Sequence, residues 1–235
     1  MREQWLAGML AGMLATRPRG MDSAPLPREK DSRGGGTFVM EDKPMHRVQY
    51  DQLRGVVFNG DMLLWRPVNL AGRVIALGTS LRYRKRIVHS HASMAAWGAN
   101  GRLYSLELIQ WHGGRHLHLS DELKRYPYSC EVWKPQDKSF CREGAVRQML
   151  WLMGQHYGWR NFLHITVRML FPHFLLPTPK NSDDPDQPLV CSSAYSWAAR
   201  TGGGVAPCPQ LQDHDVSPAD LAMSKFAKYY ATPVV

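Results

Sequence analysis

Apolar positions alternate in short runs over the middle of the chain and take up a helical period towards its C-terminal end. Asn59-Gly60-Asp61 marks a turn, and the run Met62-Leu63-Leu64-Trp65 that follows reads as a short strand. Leu70, Val74, Ile75 and Leu77 stand near helical spacing, which predicts a short helix over 69–79. The basic stretch from Leu81 to Arg86 reads as a loop. Two apolar runs, His89 to Trp97 and residues 102–111, flank Gly98-Ala99-Asn100-Gly101 and predict a β-hairpin. Further strands are expected at Arg115 to Leu119 and at Ser129 to Trp133. Glu143 to His156 carries Val146, Met149, Leu150 and Met153 at helical spacing, with Gly158 beyond its end. Residues 177–188 are rich in Pro and Asp and read as a loop. Cys191 to Arg200 reads as a helix stopped by Gly202-Gly203-Gly204. Ser217 and Pro218 suit the cap and first position of a last helix. A strand, a helix, several consecutive strands and then helices imply an α+β domain, an antiparallel sheet packed against helices.

Residues 16–48 hold Arg-Pro-Arg-Gly, Leu-Pro-Arg-Glu-Lys and Arg-Gly-Gly-Gly without an apolar period, so the chain divides into a flexible tail, 1–48, and one domain, 49–235. Within the tail, residues 5–15 could pass for a short signal-peptide core, but Arg2 and Glu3 cancel and leave no positive n-region. The stretch could also be a frayed amphipathic helix, or sequence upstream of a later start at Met40 or Met45; a disordered or dispensable leader is the reading preferred over secretion, with the cytoplasm as default compartment. No apolar run reaches the roughly 18 residues of a membrane-spanning helix.

Charge and cysteines narrow the chemistry. With 29 basic and 20 acidic residues the net charge is +9, which draws the surface to polyanions: anionic lipid, anionic cell-wall polymer or nucleic acid. No nucleic-acid-binding motif accompanies it. Cys130, Cys141, Cys191 and Cys208 form no Cys-x-x-Cys pair, which excludes a zinc ribbon or a thioredoxin-like motif. They are read as reduced thiols.

Cys191 opens a helix, where unpaired N–H groups and the dipole favour a thiolate and could also hold an oxyanion. The competing reading is a buried structural cysteine. His91 lies in a small-residue strand and could act as the base that becomes an acid; the alternative is one more hydrogen-bonded histidine among ten. Glu107 is a lone carboxylate in the run Leu103-Tyr104-Ser105-Leu106-Glu107-Leu108-Ile109. A buried charge there needs a partner such as an imidazole, whereas strict alternation would let it face solvent. The hairpin loop decides between these. A three-residue loop, Ala99-Asn100-Gly101, pairs Gly98 with Arg102 and makes His91 and Glu107 diagonal neighbours on one face. A two-residue Asn100-Gly101 turn would put them on opposite faces.

These residues carry a resemblance. Gly60-Asp61-Met62-Leu63-Leu64, Ser90-His91, Glu107, Leu119-Ser120-Asp121-Glu122-Leu123, Tyr157-Gly158, Val190-Cys191-Ser192 and Ser217-Pro218-Ala219-Asp220-Leu221 follow one another in order over about residues 57–225. The order resembles the circularly permuted branch of the NlpC-type papain-like cysteine hydrolases, with YiiX-like proteins and, more distantly, lecithin-retinol acyltransferase-like enzymes. Ser193-Ala194 and a long insertion between Phe162 and Pro188 depart from the pattern. The resemblance implies a permuted papain-like fold and acyl transfer through a thioester, with Cys191 as nucleophile, His91 as base and Glu107 as its orienter. No metal or organic cofactor is implied. Peptide amides, peptidoglycan stem peptides among them, or lipid acyl groups are the implied substrates, with an anionic wall or membrane surface as partner.

Two other classes remain open. His89, His91, His112, His116 and His118 could supply a metal site, although no strong fourth ligand accompanies them. A catalytically inactive binder of an anionic polymer or membrane surface would use the charge alone.

Overall fold

The computed structural model describes residues 47–159, 162–163, 167, 181–184, 186–187 and 189–235. The expected leader, nearly all of the expected tail and most of the insertion before Cys191 lie outside the described residues.

Among the described residues fourteen elements follow in order. They are β1 (Arg47–Gln49), α1 (Tyr50–Arg54), β2 (Met62–Trp65), α2 (Leu70–Tyr83), β3 (His91–Trp97), β4 (Leu103–Ile109), β5 (Gly113–His118), α3 (Leu119–Arg125) and β6 (Cys130–Pro135). Then come α4 (Arg142–Trp151), α5 (Cys191–Thr201), a short 3-10 turn (Asp213–Asp215), α6 (Pro218–Met223) and β7 (Ala227–Val234). The seven strands form one sheet in the order β1-β7-β6-β2-β3-β4-β5. The α+β class is as expected, but the sheet is mixed rather than antiparallel. β1 runs parallel to β7, and the other neighbours are antiparallel. Parallel pairing requires a long crossover, and here almost the whole domain lies between the two strands.

Both faces of the sheet are covered. Met62, Leu64, Ala92, Met94, Ala96, Leu106 and Leu108 pack with Val146, Met149 and Leu150 of α4 and with Ala194, Tyr195, Trp197 and Ala198 of α5. Leu63, Trp65, Ala95, Leu103 and Val132 pack on the other side with Leu53 of α1 and with Leu119 and Leu123 of α3. That is why β2 is apolar at every position: each residue meets a core whichever way it points.

The strands β3 and β4 pair Trp97 with Leu103, Ala96 with Tyr104, Ala95 with Ser105 and Met94 with Leu106. Gly98 N–H donates to the Arg102 carbonyl at 2.9 Å. This is the register of the three-residue loop. Gly101 sits at its last position with φ +68°, in the left-handed region that a side chain disfavours.

Other expectations shift. The helix predicted over 69–79 continues to Tyr83, so part of the expected loop is helical. Asn69 caps it by accepting from Gly72 N–H at 2.8 Å. The helix expected over 143–156 ends at Trp151, and residues 152–154 turn instead. The strand expected over Arg115 to Leu119 spans Gly113–His118 instead, and Leu119 opens helix α3. Strands β1 and β7 and helix α1 had no counterpart in the sequence reading.

Helix α5 is held from several sides. Tyr195 of α5 donates its hydroxyl to the Gly60 carbonyl at 3.0 Å. The adjacent Asp61 carboxylate is fully buried and meets Arg142 at 2.6 Å and Lys134 at 3.0 Å. The Gly60-Asp61 pair is therefore a structural clamp joining β2 to β6, α4 and α5. Gly144 of α4 and Gly202 at the end of α5 meet backbone to backbone: a Cβ on Gly144 would lie 2.1 Å from the Gly202 carbonyl oxygen.

Gly144→Ala is expected to destabilise the protein by about 1–3 kcal/mol in urea unfolding, because neither backbone can yield to the added methyl. Ser217→Ala removes the cap that accepts from Asp220 N–H and is expected to cost about 1 kcal/mol. A Gly144→Ala loss smaller than the Ser217→Ala loss would show that α4 and α5 can separate without consequence.

Candidate active site

Strand and helix ends converge at one end of the sheet. His91 is the first residue of β3, and Glu107 lies near the end of its antiparallel neighbour β4. Cys191 is the first residue of α5, which packs on β3 and β4. Small residues allow this approach: Ala92 and Ala96 of β3 face Ala194, Ala198 and Ala199 of α5 in one core.

The three side chains expected to react come together. His91 Nε2 lies 2.6 Å from Glu107 Oε2, the diagonal contact that the three-residue loop allows. The other oxygen of Glu107 accepts from Arg115 Nε at 2.8 Å and faces its Nη2 at 2.7 Å. Arg115 is the residue paired with Glu107 across β4 and β5. Glu107 is 3% exposed, so it is not the solvent-facing residue that alternation would allow; its buried charge is compensated on both oxygens. The imidazole also bonds to the Cys191 thiol. With Nε2 taken by Glu107, Nδ1 is the nitrogen left for sulfur.

The electrostatics favour an ion pair. Burial pushes the Cys191 thiol up, but the His91 imidazolium and the backbone N–H groups of Ala92 and Ser192 outweigh it and hold the thiol below its ordinary range. Burial pushes His91 down, and the Cys191 thiolate and Glu107 carboxylate overcome it and raise the imidazole well above its usual value. Burial likewise raises Glu107, while His91 and Arg115 bring it net below the carboxylate range. The other buried cysteines go the opposite way. Burial and nearby carboxylates raise Cys130, and they push Cys208 up to about 12. Cys191 is buried, at 7% exposed, and the His91 side chain is 20% exposed.

Helix α5 adds donors. Its first intrahelical bond runs from Ala194 N–H to the Val190 carbonyl at 2.8 Å. The N–H groups of Cys191, Ser192 and Ser193 therefore stand outside the helical ladder, and that of Ser192 points at Sγ. Tyr157 is a further member that the sequence offered only as part of a Tyr-Gly pair. Gly158 N–H donates to the Leu189 carbonyl at 2.9 Å, which seats Tyr157 against the segment leading into Cys191. Burial and the Cys191 charge raise the phenol, and its hydroxyl bonds to the Gln110 side chain, so it stays protonated near the sulfur.

The five histidines considered as metal ligands do not gather. His89 bonds Glu131 at 2.8 Å, His112 bonds the Gln110 carbonyl, and His116 and His118 lie against the Tyr104 ring. Among the described residues no group of three or more His, Cys, Asp and Glu side chains could hold a metal ion. A surface hollow lined by Tyr50, Arg54, Leu103 and His118 contains none of the three triad residues.

No protein-family model matches the chain, and no curated protein matches it.

In a Cys141→Ser background, which removes the exposed thiol, iodoacetamide is expected to label Cys191 at about pH 6, where an ordinary thiol is almost wholly protonated. Cys130 and Cys208 are expected to stay unlabelled there. Labelling should fall as pH drops through the lowered Cys191 pKa, read by peptide mass spectrometry. Labelling of Cys191 only at alkaline pH would remove the ion pair.

Proposed function

We propose that the chain is a thiol hydrolase of permuted papain-like fold, cleaving amide or ester carbonyls through a Cys191 thioester. The observation that carries this reading is the continuous chain of contacts from Cys191 through His91 to Glu107, closed by Arg115. A structural cysteine needs no imidazole beside it, and a structural histidine needs no thiol.

The steps follow from the contacts. The thiolate attacks the carbonyl carbon, and the carbonyl electrons move to oxygen. The Cys191 N–H, outside the helical ladder, and the protonated hydroxyl of Tyr157 are the donors proposed to hold that oxyanion. The His91 imidazolium protonates the departing amine or alcohol as the tetrahedral centre collapses to the thioester. The neutral imidazole then takes a proton from water, whose oxygen attacks the thioester. Release of the acid returns the thiolate and the imidazolium. Glu107 keeps the imidazole in the tautomer and orientation that face sulfur, and Arg115 keeps Glu107 in place. The motifs from Gly60-Asp61 to Ser217-Pro218, in their order along the chain, support the same reading through the resemblance they carry. Peptide amides, peptidoglycan stem peptides among them, and lipid acyl esters or amides are the substrate classes proposed.

The test is hydrolysis of wall-derived peptides and acyl lipids by the purified full chain, with hydroxylamine trapping of the thioester. Cys191→Ala is expected to abolish turnover; full activity in that variant would end the proposal. Glu107→Gln is expected to lower kcat by about 10²–10⁴-fold through loss of orientation. Because the Glu107 charge raises His91, its removal should move the alkaline limb of the kcat profile to lower pH. Tyr157→Phe should lower kcat by about 10²–10³-fold with little change in KM, as expected for a donor that acts in the transition state.

A further inference from the structure

Helix α2 is built inside out. Its buried positions are small or polar: Gly72, Ala76, Gly78 and Thr79. Its exposed positions include Leu70, Val74, Leu77 and Leu81, exposed by 77%, 44%, 61% and 65%. These four stand at i, i+4, i+7 and i+11, which is one narrow stripe along a helix. Isolated exposed leucines are ordinary, but a continuous stripe marks a surface that meets something apolar.

Charge identifies the partner. From Arg66 to Arg86 the chain carries six basic residues and no acidic one. Arg73, Arg84 and Arg86 are exposed beside the stripe, and Arg82 lies over the Tyr83 ring. An apolar stripe flanked by cations is the chemistry of a helix lying in the headgroup layer of an anionic bilayer. A second copy of this helix would bring the same positive field against itself.

The fold places this surface beside the site. Helix α2 is the connection between β2 and β3, whose ends pair Trp65 with His91. Its first turn crowds Ser90, next to His91: a Cβ on Gly72 would lie 2.9 Å from Ser90 Oγ. The turn between β4 and β5 belongs to the same end of the sheet, since Ile109 and Gly113 flank it. There Trp111 is 82% exposed at φ +70°, a backbone strained for a bulky residue, and stacks on Trp159 with ring centres 4.5 Å apart. Exposed indoles favour the membrane–water interface.

We propose that this end of the molecule, through the α2 stripe and its arginines, docks on an anionic lipid surface and presents the Cys191 site to it. Among the described residues no helix is long and apolar enough to cross a membrane, so the contact is interfacial. Docking does not rest on the thiol chemistry.

The experiment is flotation of the full chain with vesicles of phosphatidylcholine alone or of equimolar phosphatidylcholine and phosphatidylglycerol. Binding is expected to the anionic vesicles and to weaken with salt. Leu77→Gln with Leu81→Gln, and separately Arg73→Gln with Arg86→Gln, should each reduce partitioning by roughly tenfold or more while the circular dichroism and thermal midpoint stay those of the wild type. Cys191→Ala should bind as the wild type does, so a failure of docking and a failure of hydrolysis are read separately. The proposal is overturned if the wild type ignores anionic vesicles or if the leucine variant binds them unchanged. It is also overturned if that variant loses self-association instead, the mark of a second copy. A lowered thermal midpoint in that variant would overturn it too, as the mark of a segment of the chain covering the stripe.

Discussion

The loop between β3 and β4 has three residues, and that number fixes which side chains the two strands share on a face. Strand side chains alternate with a period of two, so a loop one residue shorter would turn Glu107 away from His91. The carboxylate would then face a core without a cation or an imidazole, at a cost of several kcal/mol per buried charge. With Gly101 in the left-handed region, Glu107 instead finds His91 on one oxygen and Arg115 on the other. The thiolate–imidazolium pair depends on this arrangement, because Glu107 is part of what keeps the His91 proton in place.

The proposed triad also needs its thiol brought close to the strand that carries His91. Small side chains do this: with alanines on both β3 and α5, the helix approaches closely enough for the Ala92 N–H to reach the Cys191 sulfur. The buried Asp61, neutralised by Arg142 and Lys134, and the Tyr195 bond to the Gly60 carbonyl fix the same helix against β2. Stability and site geometry therefore share residues. Weakening the Asp61 clamp would loosen the helix that carries the thiol without touching the thiol itself.

What could be read from the sequence follows from how local each determinant is. The hairpin was legible because its turn residues and alternating runs lie within about twenty positions. The Cys191 helix and the Ser217 cap were legible because caps and glycine stops are local signals. Strand β7 was not. Its run Ala-Lys-Tyr-Tyr-Ala-Thr-Pro-Val carries a proline, which argues against a central strand, yet it lies between β1 and β6. Its place is set by pairing with residues far away in the chain. Tyr157 was visible only as a Tyr-Gly pair, since its proximity to sulfur depends on one backbone bond across the insertion, from Gly158 to Leu189. Another buried carboxylate paired with a histidine, Glu131 with His89 and Arg66, was missed for a related reason. Nothing near it in sequence announces its partners.

The exposed stripe of α2 lies on a helix whose first turn packs beside the site. Burying a leucine stabilises a fold by about 1.5–3 kcal/mol, and a helix serving only to close the sheet would turn its leucines inward. At this end there is no room for them. The first turn of α2 lies against Pro67 and Ser90, where even a methyl on Gly72 would come within 2.9 Å of the Ser90 hydroxyl. Seating Ser90 and His91 at the start of β3 thus leaves no room for a side chain at Gly72. A sequence free of any use for that surface could have filled the outward positions with charged residues at no cost to the core, as solvent-facing helix positions elsewhere in the chain do, at Glu143 and Arg147 of α4. Retaining Leu70, Val74, Leu77 and Leu81 there is a choice that the fold does not require, and the proposed lipid surface would supply the reason for it.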